Sequence, residues 1–109
     1  MFLHNIERGS RELQQLNLDP ELAKRSQMHA EWMALNNSLK HSKLGGTDYS
    51  IEGENIAKGH ISEEEVVKAW MDSPGHRKNI LNGKFTNAGF GYAKRSDGTT
   101  FWCAQFGGK

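Results

Sequence analysis

Apolar positions recur at helical spacing in the first third of the chain. Over residues 2–16 they predict a helix that Gly9 and Ser10 weaken in the middle. A stronger signal follows, because Asp19 is a typical N-cap residue and Pro20 suits the first helical position. The pattern then predicts a long helix over residues 20–35, whose buried face consists of Leu22, Ala23, Ser26, His29, Ala30, Met33 and Ala34.

Two further helices and a hairpin are predicted in the second half. A capping box begins at Ser62, and the apolar stripe after it predicts a helix up to residue 71. Ser73 can cap the next helix, which carries His76 in its first turn and ends at a left-handed C-cap at Asn82-Gly83. Aromatic and small residues alternate on both sides of a turn at residues 95–98, a pattern typical of a β-hairpin.

Residues 36–53 read as a long irregular connection, and the segment after it as a brief strand or the edge of a cleft. Connections of this length in a compact domain are usually functional or disordered. The connection contains His41, and the strand contains Glu54. Each residue has an ordinary interpretation as well as a functional one: a solvated loop histidine, a surface charge and, for His76, a hydrogen bond to nearby backbone.

Composition limits the partners and the architecture. The 109 residues predict one domain, 1–109, and a net charge of +1 gives no basic surface for nucleic acid. Cys103 is the only cysteine, so no intrachain disulfide can form. No apolar run is long enough to span a membrane, and residues 1–5 lack the order of a signal peptide. The expectation is therefore a protein that is not transmembrane, either cytoplasmic or trimmed from a longer precursor.

Seven segments, taken together and in order, resemble the CAP superfamily of cysteine-rich secretory proteins, antigen 5 and pathogenesis-related 1 proteins, also called SCP-like domains. They are residues 19–23 (DPELA), 29–33 (HAEWM), 41–42 (HS), 53–57 (GENIA), 65–71 (EVVKAWM), 73–81 (SPGHRKNIL) and 89–93 (GFGYA). The match is in the style of the short bacterial members. It implies an α+β fold, a three-layer α-β-α sandwich around a small antiparallel sheet.

The resemblance also implies a cleft with two histidines and two glutamates, in which the histidines can hold a divalent metal, commonly zinc. By motif, His41 and His76 match the histidine pair and Glu54 matches the first glutamate. The position of the second glutamate is Ser73, with Asp72 beside it. Ser73, Asp72 and Asn55 are expected to line the cleft.

The function implied by this resemblance is that of a monomeric binding or effector module outside the cell or in the cell envelope. Its cleft would hold zinc or another divalent metal and a small-molecule, lipid or cell-envelope ligand. The alternative is a metal-dependent hydrolase, in which Glu54 would act as general base on a zinc-activated water. The missing second glutamate counts against the alternative.

Overall fold

The structure, a computed structural model, describes all residues 1–109. The chain forms four helices and four strands, in the order α1 (Phe2–Gly9), β1 (Asn17–Leu18), α2 (Pro20–Asn36), β2 (Ile51–Lys58), α3 (Glu63–Met71), α4 (Pro74–Ile80), β3 (Asn87–Lys94) and β4 (Thr100–Gly108). None of the helices combines the length and the apolar character that crossing a membrane requires.

The sheet has the order β1-β3-β4-β2. β3 and β4 form the predicted antiparallel hairpin, and β2 pairs antiparallel with β4, with Glu54 opposite Gln105. The two-residue β1 pairs parallel with β3, so the sheet is mixed rather than wholly antiparallel. β2 is therefore an edge strand, and it is longer than the brief strand that the sequence predicted.

Helices cover both faces of this sheet, which confirms the predicted α-β-α sandwich. α2 packs on β3 and β4, where Ala30, Met33 and Phe101 are buried. The other face lies against α1, α3 and α4, with a larger core that contains Trp70, Ile80, Phe85 and Phe106 among others. The Trp70 indole also donates to the Ile56 carbonyl at 3.1 Å, which ties α3 to the edge strand.

The helix ends agree with the sequence in part. Asp19 caps α2 by accepting from the Glu21 and Leu22 amides, and Ser62 caps α3 by accepting from the Glu65 amide. The first helix ends at Gly9 and does not continue to residue 16. The helix thus stops where Gly9 and Ser10 weaken the helical pattern. The left-handed C-cap predicted at Asn82-Gly83 is also wrong: α4 ends at Ile80, and its C-cap Leu81 has a φ of −96°.

The connection between α2 and β2, residues 37–50, contains no helix or strand but runs back along α2. The Lys40 carbonyl contacts His29, the Gly45 carbonyl accepts from Arg25, and the Tyr49 hydroxyl donates to Asp19. His29 is thus half-buried under the connection rather than buried in the core, as its helix position had suggested. This connection carries His41 to the edge strand.

Candidate functional site

The edge strand β2 brings functional residues to both faces of the sheet. Successive side chains of a strand point to opposite faces, so Glu54 and Asn55 diverge. Glu54 points to the face that carries α2 and the connection, where it meets His41. Asn55 is fully buried on the other face, where its side-chain amide donates to the His76 carbonyl at 3.1 Å. Asn55 therefore lies behind the candidate site and helps to hold α4.

The Asn79 side chain completes the attachment of α4 to β2. Its amide donates to the Glu54 carbonyl at 3.2 Å and to the Asn55 side-chain oxygen at 2.9 Å. These bonds fix the helix that carries His76 against the strand that carries Glu54. The edge of the sheet thus lies between His41 on one side and His76 on the other.

The Glu54 carboxylate is buried, with 1% of its side chain exposed, and several donors surround it. Its Oε1 accepts from His41 Nδ1 at 2.8 Å and from the Ser42 amide at 2.9 Å. Its Oε2 accepts from the Ser42 hydroxyl, from Gln105 Nε2 at 2.9 Å and from Cys103 Sγ at 3.6 Å. A carboxylate offers about four lone-pair sites, so both oxygens are fully occupied.

Two opposing effects set the charge state of Glu54. Burial alone would raise the pKa of its carboxyl, since the charged form loses water. Hydrogen bonds from Ser42, His41 and Gln105 outweigh burial and hold this pKa below its ordinary value. Glu54 is therefore an ionised acceptor at neutral pH.

His41 is oriented by Glu54. A carboxylate can only accept, so His41 Nδ1 carries the proton of their hydrogen bond, and in the neutral ring Nε2 then has the lone pair. The ring is 61% exposed, which leaves this nitrogen open to a ligand. The arrangement matches that of metal-binding histidines, which usually donate their other ring N–H to a carboxylate or carbonyl.

His76 has the corresponding partner in Ser73. The Ser73 hydroxyl lies 2.9 Å from His76 Nδ1 and can accept its proton, which leaves Nε2 available. Ser73 occupies the N-cap position of α4 as predicted, but its side chain makes no capping bond to the backbone. Burial lowers the pKa of His76, and the proximity of His41 lowers it further. The two imidazoles are therefore electrostatic neighbours, and His76 is neutral at pH 7.

Asp72 does not join this group. It ion-pairs with Lys68 at 2.9 Å, and its side chain is 66% exposed. It lines a surface groove that contains residues of α1, α3 and α4 but neither His41 nor His76. The structure therefore does not bring the Asp72 carboxylate to the two histidines, and the adjacent residue, Ser73, is the one that contacts His76.

Three residues of the site were not singled out from the sequence: Ser42, Gln105 and Asn79. The His-Ser dipeptide was a signal for Ser42, since it formed part of the motif. Gln105 reaches Glu54 only through the pairing of β2 with β4, which no local pattern reveals.

The donor set of the site includes two imidazoles, those of His41 and His76. No group of three or more His, Cys, Asp or Glu side chains could hold an ion together. An apolar cavity of about 230 Å³ lies elsewhere, between α1, α3 and the sheet, and includes neither His41 nor His76. The chemistry of the site thus rests on two imidazole nitrogens beside a buried carboxylate.

Comparison with protein families decides the relationship of this chain. The family model described as "CAP: Cysteine-rich secretory protein family" matches residues 1–106. The chain belongs to the CAP family. The recognition of this family from the sequence motifs is thereby confirmed.

Bacterial proteins are among the relatives of this CAP domain. It is 42% identical over 118 aligned residues to protein YkwD of Bacillus subtilis, covering 98% of the chain and 45% of YkwD. It is 32% identical to an extracellular protein containing a SCP domain from Bacillus anthracis, with a TM-score of 0.84, covering 98% of this chain and 38% of that one. It shares the fold of an outer surface protein from Borrelia burgdorferi, with a TM-score of 0.87, 24% identity, and coverage of 98% of this chain and 87% of that one. The chain thus spans less than half the length of YkwD.

Proposed function

We propose that this CAP domain is a binding module that holds a divalent cation, Zn²⁺, through Nε2 of His41 and Nε2 of His76. The observation that carries the proposal is that both imidazole rings use the same nitrogen, Nδ1, for a side-chain hydrogen bond. Each Nδ1 is already engaged, with Glu54 in one case and Ser73 in the other. The same nitrogen therefore remains free on both imidazoles.

The hydrogen-bond partners support this role. Carboxylates and other oxygens behind a ligating histidine fix its orientation and raise its basicity. Glu54 is itself fixed by Ser42 and Gln105, so the His41 ring is held by a rigid network. Ser73 takes the place that a glutamate holds in the family pattern and supplies a neutral oxygen to His76 instead of a charged one.

Two imidazoles leave other coordination positions of a zinc ion open. A catalytic zinc typically has three protein ligands. A site with only two imidazole ligands is therefore expected to bind zinc with moderate affinity. The open positions suit oxygen donors such as carboxylate, phosphate or hydroxyl groups of a small-molecule or cell-envelope ligand. Action outside the cell is part of the proposal, because the Bacillus anthracis relative is an extracellular protein.

The hydrolase alternative has less support. A general base needs a lone pair directed at the attacking water. Both oxygens of Glu54 are already engaged by five donors, and Asp72 pairs with Lys68 away from the histidines. Glu54 is therefore suited to orienting His41 rather than to accepting a proton from water.

Isothermal titration with zinc at pH 7.5 tests the proposal. We expect one zinc per chain, and His41→Ala or His76→Ala should each weaken binding by about tenfold or more. His60→Ala is the matched control, because His60 is a half-buried histidine whose carbonyl accepts from Thr100 and Trp102. Equal zinc affinity in the wild type and the His41→Ala/His76→Ala double variant would refute the site.

A further inference from the structure

His41 lies in a segment without helix or strand, yet α2 holds this segment at three points. His29 contacts the Lys40 carbonyl at 2.6 Å, and Arg25 donates to the Gly45 carbonyl at 2.7 Å. The Tyr49 hydroxyl bonds to Asp19 at the start of the helix. Hydrogen bonds to side chains of α2 and its N-cap thus hold this segment, whereas a strand would be held by backbone hydrogen bonds.

The His29 contact is the one next to the candidate ligand. The Lys40 carbonyl belongs to the peptide bond that leads directly into His41. The residue after His41 is held from the other side, because Glu54 accepts from the Ser42 amide at 2.9 Å and from the Ser42 hydroxyl. The backbone of His41 is therefore fixed both before and after the ring.

The His29 ring makes a second contact, and its role in the hydrogen bond to Lys40 is defined. It stacks on Trp32 one helical turn later, with ring centroids 5.6 Å apart and an interplanar angle of 9°. A carbonyl only accepts, so His29 Nε2 carries a proton and donates it. A protonated nitrogen cannot bind a metal, so His29 does not compete as a ligand through this atom.

We infer that His29 is a positioning residue of the metal site: by donating to the Lys40 carbonyl it sets the backbone of His41 so that the His41 ring meets Glu54. This inference rests on the proposed function for its link to zinc. We expect loss of this bond to weaken zinc affinity about threefold to tenfold, which corresponds to about 0.6–1.4 kcal/mol.

Zinc titration of three variants tests the inference. His29→Ala should weaken zinc binding about threefold to tenfold, and His29→Gln should restore it to within about twofold, because the glutamine amide can donate from a similar distance. Arg25→Ala is the matched control, since it frees the same connection at Gly45, farther along the chain from His41, and should leave zinc affinity within about twofold. Unchanged affinity in His29→Ala, no rescue by glutamine, or an equal loss in Arg25→Ala would each overturn the inference.

A readout that needs no metal separates this inference from the proposed function. Long-range ¹H–¹⁵N spectra of the imidazoles at pH 8 should show His41 protonated at Nδ1 in the wild type and in His29→Gln. In His29→Ala both tautomers of His41 should appear, because its ring is less firmly held against Glu54. A wild type that binds no zinc but shows this change would refute the proposed function and keep the positioning role. Unchanged His41 signals in His29→Ala would refute the positioning role whatever the zinc result.

Discussion

Glu54 is an ionised carboxylate in the interior of a protein that has few buried charges. Burial of such a group is costly unless hydrogen bonds replace its lost water. The compensating donors come from two separate parts of the chain: His41 and Ser42 in the connection, and Cys103 and Gln105 in β4. The residue therefore links the connection to the sheet at the same time as it orients an imidazole.

His4 is a second buried titratable residue, with a different consequence. It is 2% exposed and packs against the rings of Trp70, Phe90 and Phe106. Burial lowers the pKa of His4 to about 3, and the charges of the N-terminal amine and of Arg8 contribute to the shift. His4 therefore stays neutral in the folded protein far below the pH at which an unfolded histidine takes up a proton.

This difference predicts acid sensitivity from one residue. Between the unfolded pKa near 6.5 and the folded pKa of about 3, the unfolded state binds more protons, so stability falls as pH falls through this interval. At pH 5 the loss should be about 2 kcal/mol relative to pH 7. Urea unfolding of the wild type and of His4→Phe at pH 7 and pH 5 measures this loss of stability. The difference between the two proteins isolates the contribution of His4, since their other titrating groups are the same. An identical pH dependence in the two proteins would contradict the account of His4.

At the scale of elements, the closest approach of α2 to the sheet is at β3. A Cβ added at Gly89 would lie 2.0 Å from the Ala23 amide nitrogen, and one at Gly91 would lie 2.4 Å from the backbone of Ser26. The two glycines leave one side of the strand bare, and the helix backbone rests on it. The pairing of helix and strand thus depends on the absence of two side chains.

Gly89→Ala should consequently destabilise the protein by about 3 kcal/mol or more, because backbone rather than a flexible side chain would have to move. Gly75→Ala is the control: nothing lies within 4 Å of its added Cβ, and alanine favours the helix α4. We expect Gly75→Ala to be neutral or stabilising by up to about 1 kcal/mol. Chemical denaturation of both variants gives the comparison, and a Gly89→Ala protein within about 1 kcal/mol of wild type would show that α2 does not pack this closely.

The elements that could be predicted from sequence are those with local signals. Asp19 and Ser62 cap their helices with side chains only two or three residues from the amides they bind, so a short window contains the whole interaction. β1 was missed because its two residues form a strand only by pairing with β3, which lies far along the chain. The C-cap predicted at Asn82-Gly83 is wrong because the helix before it ends earlier, at Ile80.

At the scale of the whole molecule, the candidate site is assembled from both layers of helices at the edge of the sheet. His41 comes from the connection along α2, and His76 comes from α4 on the opposite face. The family motifs identified both histidines and Glu54 as site residues. They did not predict how these side chains are arranged relative to one another. The contact of Gln105 with Glu54 depends on strand register, and the orientations of Asp72 and Ser73 depend on how α3 turns into α4. Such relations arise only when distant segments have packed.

The proposed function requires that His41 and His76 together bind one divalent metal ion. A crystal of the chain soaked with zinc and measured on both sides of the zinc absorption edge tests it most directly. We expect one strong anomalous peak at bonding distance, about 2.0–2.1 Å, from Nε2 of both histidines, with no protein ligand from Asp72. A peak bound to other residues, or none at these two nitrogens in a zinc-saturated crystal, would contradict it.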